Sequence, residues 1–217
     1  MINTVLFDLD GTIIDTNELI ISSFVHVLEE YKLQPLTREQ IIPHMGTTLE
    51  HQLQTFCGSQ EVGQYMKAYR AYNDKHHDDM VQPFPQVMDV VDTLYQQGIT
   101  LGVVTTKNRP GTIRVLELYG LKKYMSSIVT VADVEHPKPH PEPVLKALQE
   151  LGAAPEHTLM VGDSPADLQA AHAAGVRSAA VAWSLKGEET LKKYNPDYIL
   201  KSMTDLYSIV GQETSQS

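Results

Sequence analysis

From residue 86 onward, short apolar runs alternate with helical segments at a spacing that leaves few folds open. Residues 86–97 read as a helix closed by Gly98, and the β-branched run ITLGVVTT follows at 99–106. A helix at about 109–119, a strand SIVTVAD at 127–133 and a helix at 142–151 closed by Gly152 continue the series. Then come the strand TLMVGD at 158–163, a helix at 165–174 closed by Gly175, and a strand near 177–182. DYIL near Asp197 and a helix near Asp205 extend it. Strands that are apolar along their whole length are covered on both faces, and helices between them act as crossovers. The expected fold is α/β, a parallel sheet between helical layers.

The stretch TVLFDL at 4–9 belongs to such a sheet, yet helices separate it from the rest. Residues 17–31 carry apolar side chains near a 3.6-residue period, and Thr37-Arg38-Glu39-Gln40 opens another helix in the style of an N-cap. Residues 60–76 give a long helix with Tyr65, Met66, Tyr69 and Tyr72 as its stripe. The texture changes after VQPFP at 81–85. The expected organisation is one α/β core, residues 1–15 and 84–217, with a helical module, residues 16–83, inserted after the first strand. The C-terminal QETSQS reads as a frayed tail.

Charge narrows the partners. The chain carries 17 basic and 27 acidic residues, a net charge of -10, which repels nucleic acid and anionic membranes at long range. No apolar run reaches the roughly 18 residues of a membrane span, and residues 1–6 lack the features of a signal peptide. Cys57 is the single cysteine, so no internal disulfide forms; it reads as a plain, half-buried thiol in a cytoplasmic protein. An anionic substrate would need local lysine or arginine, and a metal, to overcome the field.

In open α/β sheets, sites form outside the carboxyl ends of the strands. Those ends carry Asp8-Leu9-Asp10, Thr105-Thr106-Lys107 and Gly162-Asp163-Ser164, and Lys138 lies in the loop HPKPHPEP. Residues two apart on a strand share a face, so Asp8 and Asp10 repel each other unless a cation intervenes. A calcium loop of the helix–loop–helix kind needs glycine and an acid where this chain has Ile13 and Leu19. Asp167 also suits a purely local role, since Ser164-Pro165-Ala166-Asp167 reads as a capping arrangement. Together the residue types fit phosphoryl chemistry. Carboxylates hold Mg²⁺, Gly11 lets backbone N–H groups approach phosphate oxygens, and a carboxylate can be the nucleophile through an aspartyl-phosphate.

DLDGT, the threonine ending VVTT, the lysine of KPHPEP and GDSPAD occur in the order of the four motifs of the haloacid dehalogenase superfamily, which this chain resembles over nearly its whole length. The resemblance implies a Rossmann-like core with an inserted helical cap of the C1 type. It implies Asp8 as nucleophile, Asp10 as general acid and base, and Thr105 and Lys138 holding the phosphoryl group. Mg²⁺ would be ligated by Asp8, the Asp10 backbone carbonyl and Asp163, with Asp167 in support. TNELIISSF, VVTTKNR, DVEHPKPHPEP and WSLKG at 183–187 further resemble PpaX-type inorganic pyrophosphatases of the phosphoglycolate-phosphatase-like branch. That implies pyrophosphate as substrate, with phosphoglycolate or another small phosphomonoester as the alternative, and a monomer is the favoured state. A phospho-signalling receiver shares acidic strand ends but has no aspartate two residues past its acceptor and no such insertion.

Four further groups have a plain reading beside a functional one. His76-His77-Asp78-Asp79 reads as a solvated helix end rather than a metal cluster, and Trp183 as packing. His44 and Gly46 in IIPHMGTT fall where the superfamily keeps a specificity loop. Lys107, Asn108 and Arg109 read as a charged helix start that could also add positive charge at a site's mouth.

Overall fold

The computed structural model describes residues 1–210, so the QETSQS tail lies outside the described residues. In chain order the elements are β1 (Thr4–Phe7), β2 (Ile14–Asp15), α1 (Asn17–Glu30), α2 (Arg38–Ile41), α3 (Leu49–Cys57), α4 (Gly63–Met80), β3 (Gln82–Pro83), α5 (Val87–Gln96) and β4 (Thr100–Val104). They continue with α6 (Arg109–Leu118), β5 (Met125–Val129), α7 (Glu142–Leu151), β6 (Thr158–Gly162), α8 (Pro165–Ala173), β7 (Arg177–Val181), α9 (Glu188–Lys192), β8 (Tyr198–Leu200) and α10 (Leu206–Ile209).

Six strands form one parallel sheet in the order β5-β4-β1-β6-β7-β8. β1 is central because it has no face to give to water. Val5 and Phe7 enter the apolar layer built with α5 and α6, while Leu6 enters the layer built with α7 and α8. Phe7 pairs with Val103 on one side and Val161 on the other, so the carboxyl ends of β1, β4 and β6 finish level. The order turns around β1, which opens the crevice there.

β1 is shorter than the apolar run suggests. After Asp8 the chain turns, and the N–H groups of Thr12, Ile13 and Ile14 all donate to the Leu9 carbonyl (3.3, 3.1 and 3.0 Å). β5 also starts and ends earlier than the expected 127–133. Thr130 and Asp133 form a capping box that starts a tight helical turn over Val131–Asp133 and ends the strand. The chain leaves the sheet through β2 and returns through β3, an antiparallel pair joining Asp15 to Gln82.

Between those strands the helices build a core of their own. Phe24, Val27, Ile41, Leu53 and Tyr69 are among its buried members, with Phe24 meeting Phe56 edge-on at 5.0 Å. The expected solvated helix end holds for the exposed Asp78 and Asp79 and is corrected at His77 alone. α4 runs on to Met80, and His77 is 1% exposed, its Nδ1 2.7 Å from Asp78 Oδ1. Asp78 in turn pairs with Arg114 of α6 (3.0 Å), while Asp78 and Asp79 themselves stay exposed. Trp183 packs as expected, 5.9 Å from Phe84, and its indole N–H donates to the Thr12 carbonyl.

Candidate active site

β1, β4 and β6 deliver Asp8, Thr105 and Asp163 to one crevice, each as the residue following its strand. Asp8 is fixed from behind: its N–H donates to the Val161 carbonyl at 2.9 Å. Its Oδ1 accepts from Lys138 Nζ at 2.7 Å. The same ammonium donates to Asp167 Oδ1 at 2.6 Å and to the Val104 carbonyl at 2.8 Å. Burial works against the charge on Lys138, but Asp167 and Asp8 outweigh it and raise the ammonium's pKa. Burial pushes the Asp8 carboxyl well above its ordinary value, with Lys138 opposing.

Asp167 divides its two oxygens. Oδ1 takes Lys138, while Oδ2 accepts from the Ser164 N–H (3.0 Å) and hydroxyl (2.6 Å). The capping role and the site role therefore coexist in one side chain.

Asp163 is raised by burial as well, with Lys186 opposing. Lys186 Nζ donates to its Oδ2 at 3.1 Å, whereas Oδ1 is buried with no hydrogen-bond partner. Gly11 approaches so closely that a Cβ there would lie 2.7 Å from Asp163 Oδ2, and its φ of +83° also demands glycine. Oxygens of Asp8, Asp163 and Asp167 lie within 4.8 Å of one another. Three carboxylates gathered in so little space, one with an orphaned oxygen, fit a bound metal ion.

Asp10 sits apart from that cluster, and its carboxylate accepts from Lys107 Nζ at 3.0 and 3.3 Å. Thr105 is buried, and its Oγ1 accepts from the Lys107 N–H at 3.1 Å, which leaves the hydroxyl proton free. Asp8, Asp10, Thr105 and Asp163 line a cavity of about 470 Å³ between the sheet and the inserted helices, with Lys138 and Asp167 buried beneath it. The helical side is closed by the loop from Met45 to Thr48, the start of α3 and one face of α4.

Some candidates fall elsewhere. Gly46 lines the cavity but His44 does not; its ring packs edge-on against Phe56 at 5.3 Å. Lys107 and Asn108 line the cavity, and Asn108 caps α6 by accepting from the Gly111 N–H. Arg109 turns away to Asp133 (2.8 Å) and the Ile128 carbonyl (3.0 Å), so it supplies no charge at the mouth. Lys186 was missed by motif reasoning, although it lies within WSLKG. A lysine in a loop after a strand carries no signature until the fold brings it to Asp163.

An acidic, metal-fitting centre at the carboxyl ends of a Rossmann-like parallel sheet, with helices inserted after the first strand to cover it, defines a class of α/β hydrolase. The chain belongs to the haloacid dehalogenase-like hydrolases, whose family model matches residues 5–181. It is 46% identical over 210 residues to the pyrophosphatase PpaX of Anoxybacillus flavithermus, covering 97% of each chain. The pyrophosphatase PpaX of Bacillus mycoides is also 46% identical, over 211 residues covering 97% of this chain and 98% of that one. A haloacid dehalogenase-like family hydrolase from Streptococcus pneumoniae superposes with a TM-score of 0.85 at 25% identity, over 96% of this chain and 98% of that one. Among the described residues, no helix is long and apolar enough to cross a membrane.

Proposed function

We propose that this chain hydrolyses inorganic pyrophosphate to two phosphates in a Mg²⁺-dependent reaction in the cytoplasm, as a monomer, with residues 16–83 acting as the cap of the core formed by 1–15 and 84–217. The observation that carries the reading is the 46% identity, over 97% of the chain, to pyrophosphatases, in a chain that gathers three buried carboxylates in one crevice.

Asp8 is the nucleophile. Its Oδ1 is held by Lys138, so the other oxygen is free to attack phosphorus; the bond to the bridging oxygen breaks and phosphate leaves. Phosphate is a weakly basic leaving group, so Asp10 contributes less as an acid in this step than it would for an alkyl ester. In the second step Asp10 takes a proton from the water that attacks the aspartyl-phosphate, and Asp8 is released with the second phosphate. The free Thr105 hydroxyl proton donates to a phosphoryl oxygen. Lys138 has three N–H groups, all engaged, so its part is positive charge beneath the transferring group. Asp8, Asp163 and the Asp10 backbone carbonyl would hold Mg²⁺, which would supply positive charge to the phosphoryl oxygens.

A phosphate-release panel tests the proposal: pyrophosphate, 2-phosphoglycolate, hexose phosphates and p-nitrophenyl phosphate. Pyrophosphate is expected to give the highest kcat/KM. A tenfold advantage for 2-phosphoglycolate would overturn the substrate assignment and leave the aspartyl-phosphate route standing.

A further inference from the structure

Resting on the pyrophosphate reading, we infer that Arg70 of α4 is the specificity-determining residue that holds the phosphoryl group not being transferred. The inference begins with charge. Asp8, Asp10, Glu50, Asp74, Glu135 and Asp163 line the cavity, against Arg70 and Lys107 as its lining cations. Lys107 is engaged, 3.0 Å from Asp10 Oδ1, with its side chain 11% exposed. Lys138 and Lys186 are spent on Asp8, Asp167 and Asp163 beneath the floor. Arg70 makes no hydrogen bond or ion pair among the described residues.

Its position follows from the helix. Met66, Tyr69, Arg70, Asn73 and Asp74 recur at three- and four-residue steps, so they share the face of α4 that closes the cavity. Their neighbours on that face are already fixed. Tyr69 is buried with its ring 4.7 Å from Phe24, and Asn73 Nδ2 donates to Ser23 Oγ at 3.2 Å. Arg70 therefore stands on an anchored helix with a free guanidinium.

A substrate whose transferring phosphoryl sits at Asp8 extends its leaving side toward the cap. With pyrophosphate that side is a second phosphate, with no carbon to pack against, so only charge and hydrogen bonding can recognise it. A guanidinium presents a planar fork of donors that matches phosphate oxygens two at a time, which an ammonium does not. Arg70 thus selects small substrates that carry a second phosphate or comparable anion on the leaving side.

The test is the ratio of kcat/KM for pyrophosphate to that for p-nitrophenyl phosphate, at saturating Mg²⁺, in wild type, Arg70→Ala, Arg70→Lys and the control Arg109→Ala. Arg70→Ala is expected to lower the ratio tenfold or more, chiefly through KM for pyrophosphate. Arg70→Lys should recover part of it, and Arg109→Ala should stay within twofold of wild type. In parallel, imidodiphosphate, which resists hydrolysis, competes against p-nitrophenyl phosphate; its inhibition constant should rise tenfold in Arg70→Ala, and that of orthophosphate by much less. A ratio and an imidodiphosphate constant within twofold of wild type in folded Arg70→Ala would overturn the role of Arg70. A wild type that ignores pyrophosphate would overturn the substrate reading instead, and the imidodiphosphate arm would still decide Arg70.

Discussion

The three N–H groups of Lys138 go to Asp8, Asp167 and the Val104 carbonyl, in a place where its side chain is 1% exposed. Replacing it with methionine keeps the volume but leaves two carboxylates buried without their cation. Removing one partner of a buried ion pair costs about 3–5 kcal/mol, far more than the pair contributes when intact. Lys138→Met should therefore lose turnover and a comparable amount of unfolding free energy, read as a lowered urea midpoint at unchanged m. Adding Asp8→Asn to that variant removes one of the stranded charges and should restore part of the stability. In the wild-type background Asp8→Asn should abolish phosphate release, because an amide cannot attack phosphorus. It should melt no lower than wild type, since burial already disfavours the Asp8 charge and the amide oxygen still accepts from Lys138. Turnover in pure Asp8→Asn protein would end its assignment as nucleophile.

At the scale of elements, the loop between α2 and α3 meets the core at Gly46. Gly46 has a φ of +98°, and a Cβ there would lie 2.8 Å from the Ser164 Cβ. Ser164 cannot give way, because its hydroxyl is tied to Asp167 at 2.6 Å. Thr106 Oγ1 adds a contact to the Gly46 carbonyl at 3.3 Å. Gly46→Ala should lift the loop off the core and lower kcat/KM about tenfold, beyond the roughly 1–3 kcal/mol that a left-handed alanine costs in stability. Gly58→Ala is the control: it also has positive φ, +62°, but open space around it. It should lose stability by a similar amount and keep its activity; equal activity loss in both variants would remove the steric argument. The strands and most helices were legible because their apolar patterns have a period. The tight turn at Leu9 and the capping box that ends β5 were not, since they depend on where individual N–H groups find acceptors. The β2–β3 pair was invisible for a different reason: two residues on each side carry no pattern.

For the whole molecule, the arrangement concentrates acid where sheet and inserted helices meet, in a chain already at net charge -10. Asp8, Asp163 and Asp167 could be read from the strand ends and the capping motif, because parallel topology dictates that such ends converge. Lys186, the burial of His77 and the turning away of Arg109 could not, since each depends on side chains distant in sequence. The fold leaves two energies unresolved: the orphaned Asp163 Oδ1 and the mutual repulsion of the carboxylates. A cation that binds the native state relieves both, and binding at 100 times Kd adds about 2.7 kcal/mol of stability. For a chain of this size that corresponds to a rise in Tm of roughly 5–10 °C. Mg²⁺ should produce such a rise over EDTA, and EDTA should abolish turnover. Asp163→Asn should cancel the Mg²⁺-dependent rise whatever its own melting temperature in EDTA. Ca²⁺ should raise Tm too, yet support little turnover, because it accepts more ligands and can draw both Asp8 oxygens away from phosphorus. An undiminished Mg²⁺ shift in Asp163→Asn would place the ion elsewhere, and equal turnover with the two ions would show that the free oxygen of Asp8 is not what the metal controls.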